Sequence, residues 1–240
     1  MSAAYLDRLA AHLDASAADG RTRAFWWRDD DATAPGPRLA ALLARGKRHG
    51  AAIAIAAIPE MVGPELLALC EDEGLDVLQH GIAHRNHQPA GKAAELGDAR
   101  SVAVLMEALL AARARLKSKA FTPVLVPPWN RMRADLAPAL EAAGYRGVSL
   151  FGGGPVARPR RVDTHIDPIA WRTTRSLVDA STMGRMIDHA FAQDGPIGLL
   201  THHIVHDSAV DGFVDAFAAM VAGHPGADWV RASALFEVAR

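Results

Sequence analysis

Short runs of β-branched and aromatic residues alternate along this chain with longer segments rich in alanine, leucine and arginine. This alternation is typical of β/α units built around a parallel sheet. The predicted strands are 24–28, 51–57, 75–79, 121–126, 147–150, 166–170 and 197–201, and the predicted helices are 37–49, 63–73, 98–117, 133–143, 182–193 and 208–222. Seven strands alternating with helices predict an α/β barrel that is one strand short of the eight-stranded type.

Length and composition indicate one domain, 1–240, with a single substantial core, because half of the 240 residues are apolar. A formal net charge of −1 gives no field that favours nucleic acid or anionic lipid, so a small molecule or a neutral polymer is the expected partner. The only cysteine, Cys70, permits no internal disulfide and no thiolate metal site. We find no signal-peptide pattern and no run of about 18 apolar residues, so a cytoplasmic protein without a membrane span is expected.

Three consecutive aspartates, Asp29, Asp30 and Asp31, follow the apolar strand predicted at 24–28. Carboxylates at the end of a buried strand are costly to desolvate, and a cation or a proton usually compensates them. Side chains alternate in direction along a strand, so the three are expected to have different roles. We assign Asp30 to a metal ion and Asp29 to general-base catalysis, and we interpret Asp31 as a supporting cap or turn residue.

Two histidines, His80 and His84, are four residues apart, a spacing that places both rings on one side of a helical turn where they can share an ion. The alternative is a pair of surface or core histidines. For His87, three residues later, the sequence allows three interpretations: a supporting role, a substrate contact or simple exposure. Together with an aspartate, the pair predicts one divalent metal with open coordination positions, zinc by default, with cobalt, nickel, manganese or iron as alternatives.

The segments after two later strands supply further candidates. His202 closes the strand 197–201, where a histidine can protonate a leaving amine, although His203 and His206 compete for that role. The paired prolines Pro127 and Pro128 set a rigid turn beside the bulky ring of Trp129, which suits the wall of a sugar or acyl site. Two interpretations remain for Arg131: it orients Asp29 through a charge-assisted hydrogen bond, or it is a solvated arginine. In a parallel barrel the strand ends share one face, so these residues are expected to converge there.

These segments resemble the polysaccharide deacetylase family, carbohydrate esterase family 4, which includes the nodulation-type chitooligosaccharide deacetylases. The resemblance covers about 24–206. The first family motif, Thr-Phe-Asp-Asp-Gly, is matched by 27–31, which implies Asp29 as base and Asp30 as ligand. The second, His-x-x-x-His, is matched by His80 and His84, and the fifth, Leu-x-His, implies His202 as acid and Leu200 as part of an acetyl pocket. The fold implied is a distorted (β/α)7 TIM-like barrel.

Two motifs of the family are matched only in part. Val126 stands where the third motif has an arginine, and Ala170 stands where the fourth has its second aspartate, between Asp167 and Trp171. The resemblance implies that Asp167 and Trp171 help to orient the acid or the substrate. These departures indicate a divergent cytoplasmic branch whose substrate is an N-acyl sugar, an oligosaccharide or a related amide.

Three functions are compatible with these residues. The leading one is metal-dependent removal of an acetyl or similar acyl group from an amide, with a base and an acid supplied by the chain. The second keeps the metal and hydrolyses another bond. The third is a catalytically silent member that binds a carbohydrate or a protein partner, a reading favoured by Val126 and Ala170.

Overall fold

The computed structural model describes residues 4–154 and 159–237. Helices and strands alternate along most of this part of the chain. In order they are α1 (Ala4–Ala18), β1 (Arg23–Ala32), α2 (Pro37–Arg48), β2 (Ile53–Ala57), α3 (Pro64–Asp72), β3 (Asp76–His80), α4 (Val102–Arg113), β4 (Phe121–Val126), α5 (Ala137–Ala142), β5 (Gly147–Val148), β6 (Arg160–Arg161), α6 (Ala180–Phe191), β7 (Ile197–Thr201), α7 (Ser208–Gly223), β8 (Ala227–Trp229) and α8 (Ala232–Leu235).

The strands form one eight-stranded sheet in the order β6-β5-β4-β3-β2-β1-β7, with β8 pairing to β1. The pairings of β1 with β7 and of β3 with β4 are parallel. In this register Asp29 lies beside Thr201, and His80 lies beside Val126. Strands β2 and β3 are buried along their whole length, as expected of parallel strands covered on both faces. The predicted α/β class is confirmed.

The chain divides into two compact units. The first contains the N-terminal segment through Asp29, with 36–53 and 164–232. In it, the buried ring of Phe25 packs against Phe191, Phe217 and Trp229 at centroid distances of 6.0 to 6.1 Å. None of the described helices is long and apolar enough to cross a membrane.

The second unit contains 30–35, 54–163 and the C-terminal segment from Ser233. Its core lies where α4 and α5 cover β4, and leucines supply most of the contact. The buried leucines of this core are Leu96, Leu105, Leu109, Leu125, Leu136 and Leu140. This core supports β3 and β4, the two strands that position the histidines described below.

Several local predictions were wrong. The segment 166–170 forms only isolated bridges, Ile166 to Leu199 and Ile169 to Leu177, because Asp167 turns the backbone by accepting the N–H of Ile169. Ser101 caps α4 and Asp207 caps α7, so these helices begin at Val102 and Ser208. Helices α1 and α8 and strands β6 and β8 were not predicted, since all but α1 are at most four residues long.

Candidate metal centre

Asp31, His80 and His84 bring three possible metal ligands together in the second unit. Each offers one donor atom, and these atoms lie within 4.8 Å of one another. Oδ1 of Asp31 is 3.0 Å from Nε2 of His80 and 3.2 Å from Nε2 of His84. His80 is nearly fully buried, while Asp31 and His84 are partly exposed, so the cluster is accessible from one side.

The hydrogen bonding of His80 fixes which ring nitrogen is available. Its Nδ1 lies 3.0 Å from the carbonyl oxygen of Val126, and a carbonyl can only accept, so Nδ1–H donates. In the neutral ring, Nε2 then carries a lone pair directed at the carboxylate of Asp31. Two acceptors at that distance repel each other unless a proton or a metal ion supplies positive charge between them.

His84 is a poor site for that proton. Burial lowers the pKa of His84, and the neighbouring His80 lowers it further, more than Asp31 raises it. The ring of His84 lies between two other rings, 5.1 Å from that of His80 and 4.4 Å from that of Trp129. A divalent cation therefore fits the charge of this cluster better than two imidazolium ions do.

The donor set also has dimensions suited to a metal. Ligand atoms 2.0 to 2.1 Å from a tetrahedral zinc ion are about 3.4 Å apart. The contacts of Oδ1 of Asp31 with the two histidines, 3.0 and 3.2 Å, are close to that separation. Two imidazoles and one carboxylate suit zinc and other first-row divalent metals and leave positions for water and substrate.

The carboxylate in this cluster is Asp31 and not Asp30, which corrects the prediction. Asp31 has a φ of 69°, in the left-handed region that non-glycine residues rarely adopt. This value breaks the regular alternation of side chains along β1 and accounts for the direction of its carboxylate. Asp30 is 1% exposed and lies next to the cluster in sequence. Asp31, interpreted from the sequence as a cap or turn residue, is thus the carboxylate that meets the two histidines.

Unusual backbone conformations are concentrated around the cluster. Of the five described non-glycine residues with positive φ, four belong to its segments: Asp31, His84, Trp129 and Asn130. Such conformations cost of order 1–3 kcal/mol each and occur preferentially at binding and catalytic sites. The cluster thus has a feature of functional sites that is independent of its residue types.

Asp29 is engaged by other groups in the first unit. Oδ1 of Asp29 accepts hydrogen bonds from the Thr201 hydroxyl at 2.7 Å and from the backbone N–H of His203 at 3.0 Å. Oδ2 of Asp29 lies 2.5 Å from Nδ1 of His203, and Trp27 donates to the Thr201 hydroxyl. The carboxylate of Asp29 is thus fully buried and held by these donors.

His202 has a different environment in the same unit. The ring of Trp171 meets it edge to face at 4.6 Å, and the indole N–H of Trp171 donates to Asp167 at 2.8 Å. Leu200, two residues earlier, is 1% exposed. Nδ1 of His202 is buried and has no hydrogen-bond partner within the described residues. The orienting carboxylate expected of a general acid is thus absent there, in agreement with Ala170 at that motif position.

The other predicted site residues make contacts of different kinds. Arg131 donates to the carbonyl of Ala93 at 2.8 Å and does not orient Asp29, whose partners are given above. Pro128 is buried in a 3-10 turn, Pro128–Asn130, that presents Trp129 to His84. His87 is exposed, and His206 pairs with Asp211 at 3.0 Å. Sequence analysis missed Glu95, a buried loop carboxylate that no motif signals.

Comparison with known proteins gives matches only among solved structures: no protein-family model and no curated protein matches the chain. A mutant of the peptidoglycan deacetylase PdaC from Bacillus subtilis matches with a TM-score of 0.56 and 16% identity, over 89% of this chain and 90% of that one. The family 4 acetyl xylan esterase from Clostridium thermocellum, solved with cobalt, matches with a TM-score of 0.59 and 12% identity over the same shares.

The chain has the fold of carbohydrate esterase family 4. A mutant of a family 4 pseudoenzyme has this fold as well, with a TM-score of 0.60 and 13% identity over 90% of this chain and 68% of that one. Another mutant of that protein is described as having restored enzymatic activity. The family 4 fold therefore carries both active and silent proteins, and the residues of the site must distinguish between these functions.

Proposed function

We propose that this chain is a metal-dependent hydrolase that removes an acetyl or similar acyl group from an N-acylated sugar, an oligosaccharide or a related amide. One observation carries the proposal: the Asp31 carboxylate meets Nε2 of His80 and of His84 within 3.2 Å. The proteins of the same fold named above include a peptidoglycan deacetylase and a cobalt-bound esterase, which supports this class of reaction.

Asp31, His80 and His84 would hold the metal, which supplies Lewis acidity and lowers the pKa of water. Zinc is our first assignment, with cobalt, nickel, manganese and iron as alternatives. The Val126 carbonyl holds His80 in the tautomer whose Nε2 can act as a ligand. Although Val126 lacks the arginine side chain of the family motif, its backbone thereby contributes to the site.

We assign the general base to Asp30. The family order is base and then ligand in consecutive positions, so a ligand at Asp31 shifts the base from Asp29 to Asp30. Asp30 is 1% exposed, and Arg28, two residues earlier on β1, is fully buried on the same face of the strand. A carboxylate in this position can accept a proton from the attacking water.

We assign the general acid that protonates the leaving amine to His202, with Trp171 holding its ring. Trp129 forms a wall of the site beside His84. The rings of Trp171 and His202 meet edge to face at 4.6 Å. This contact limits the orientation of His202, which lacks a carboxylate partner among the described residues.

A catalytically silent binding protein is the second candidate, favoured by Ala170 and by the unpartnered Nδ1 of His202. The test is acetate release from N-acetylglucosamine oligomers and a panel of other N-acyl amides, with zinc or cobalt supplied, for wild type and Asp30→Asn. Release by the wild type, reduced at least 100-fold in the variant, supports the hydrolase. Metal binding without release from any substrate supports the silent protein.

A further inference from the structure

The segment that carries His84 has no helical or extended structure of its own. Residues 81–87, between β3 and α4, form neither a helix nor a strand, so the two histidines are not on the helical turn that their spacing suggested. His84 has a φ of 56° within this segment. Some other interaction must keep its ring within reach of Asp31.

That interaction is supplied by the carboxylate of Glu95. Oε2 of Glu95 accepts the backbone N–H of Ile82 at 2.8 Å, and Oε1 accepts those of Ala83 at 2.9 Å and Arg85 at 3.1 Å. Two of these amides precede His84 and one follows it. Glu95 is 1% exposed, so the three donors also compensate a charge that would otherwise be costly to bury.

Gly81 allows this approach. It has a φ of 61°, and a Cβ atom there would lie 2.2 Å from Oε2 of Glu95 and 2.5 Å from the ring of Pro128. Glu95 itself is fixed from behind, because Arg100 donates to its carbonyl at 2.7 Å and Arg131 donates to that of Ala93 at 2.8 Å. The carboxylate and the histidine segment therefore form one ordered arrangement.

We infer that Glu95 is a positioning residue for the metal site: its carboxylate holds the backbone on both sides of His84 and so sets that ligand's position. This inference rests on the proposed function, because it assumes that His84 binds a metal. Groups that support a metal ligand from behind typically change affinity by 10- to 100-fold when they are removed. Glu95 never touches the metal in this account, and it acts through the amides of 82–85.

The test compares the zinc affinity of the full chain with that of Glu95→Gln and Glu95→Asp, by competition with a chromophoric chelator. The neutral amide of Gln places an NH2 group against a backbone N–H, and the shorter Asp reaches fewer donors, so we expect 10- to 100-fold weaker binding. Glu71→Gln is the matched control. Glu71 also accepts a hydrogen bond from a backbone amide, but the donor, Lys119, belongs to a different loop. The control should bind zinc within twofold of wild type.

Two further readouts distinguish positioning from simple stabilisation. The visible spectrum of the cobalt form should change in Glu95→Gln, because the coordination of His84 changes. Zinc should also raise the unfolding midpoint less in this variant than in wild type, whereas a merely structural residue would leave that increase unchanged. If Glu95→Gln does not fold, the same comparison is made with Glu95→Asp.

The outcomes separate the two proposals. A wild type that binds zinc, with both Glu95 variants binding equally well, overturns the inference on Glu95 and leaves the proposed function intact. A wild type that binds none of zinc, cobalt, nickel, manganese and iron overturns both.

Discussion

Nε2 of His80 faces Oδ1 of Asp31 at 3.0 Å while its Nδ1–H donates to the carbonyl of Val126. This relationship makes the cluster a metal site in our account, because it directs a lone pair at a carboxylate. His84 adds a second imidazole 3.2 Å from the same oxygen.

Asp29→Asn should lower the free energy of unfolding by about 2 kcal/mol, because a buried amide cannot accept all of the hydrogen bonds that the carboxylate accepts from Thr201 and His203. The proposed metal ligands are other residues. Urea unfolding measures the loss, and metal analysis should find the same zinc content as in wild type. Loss of zinc in this variant, with the fold retained, would restore Asp29 as part of the metal site.

Gly81→Ala should weaken zinc binding, since its methyl group would displace Glu95 or Pro128. Gly74→Ala is the control: it has the same φ of 61°, but a Cβ atom there meets nothing within 4 Å. Both variants carry the backbone cost of about 1–2 kcal/mol. Zinc affinity that falls equally in both would show that the contact with Glu95 is irrelevant.

Trp129→Ala should reduce kcat/KM for an N-acyl substrate by about tenfold, the value of one lost aromatic contact of ~1.4 kcal/mol. The Trp129 ring lies 4.4 Å from that of His84, and in the proposed function it forms a wall of the substrate site. Steady-state kinetics measures the effect, with Trp129→Phe as the control that keeps a ring. An unchanged kcat/KM in Trp129→Ala would exclude the residue from substrate binding.

His206 should make the protein sensitive to acid. Burial lowers the pKa of His206 from its ordinary value of 6.5, and this effect exceeds the attraction of Asp211. A lowered pKa in the folded state means that stability is fully present above pH 6.5 and is lost as the pH falls below it. Urea unfolding at pH 7.5 and 5.5 should show a smaller loss in His206→Asn than in wild type; an equal loss in both would contradict the assignment.

Sequence patterns predicted the fold class and singled out the two histidines of the cluster, for physical reasons that can be identified. The apolar runs of β4 and β7 are buried strands whose predicted bounds agree with the structure. His80 closes β3, and its position follows from the end of that strand. Periodicity failed at 166–170, where a side-chain hydrogen bond from Asp167 overrides the extended pattern.

Periodicity could not predict which aspartate lies against the two histidines. Regular alternation places Asp29 and Asp31 on one face of β1 and Asp30 on the other. The left-handed φ of Asp31 overrides that rule, and no local signal such as glycine announces it. Glu95 was missed for a related reason: its partners are backbone amides ten to thirteen residues away, which leave no trace in side-chain patterns.

The central claim is most directly tested by measuring zinc content and acetate release together for wild type, Asp31→Asn and Asp30→Asn. The account predicts about one zinc ion per chain in wild type and in Asp30→Asn, little zinc in Asp31→Asn, and acetate release only by wild type. Zinc retained in Asp31→Asn and lost in Asp30→Asn would contradict the assignment of the ligand. Little zinc in all three, even after incubation with excess metal, would contradict the metal site itself.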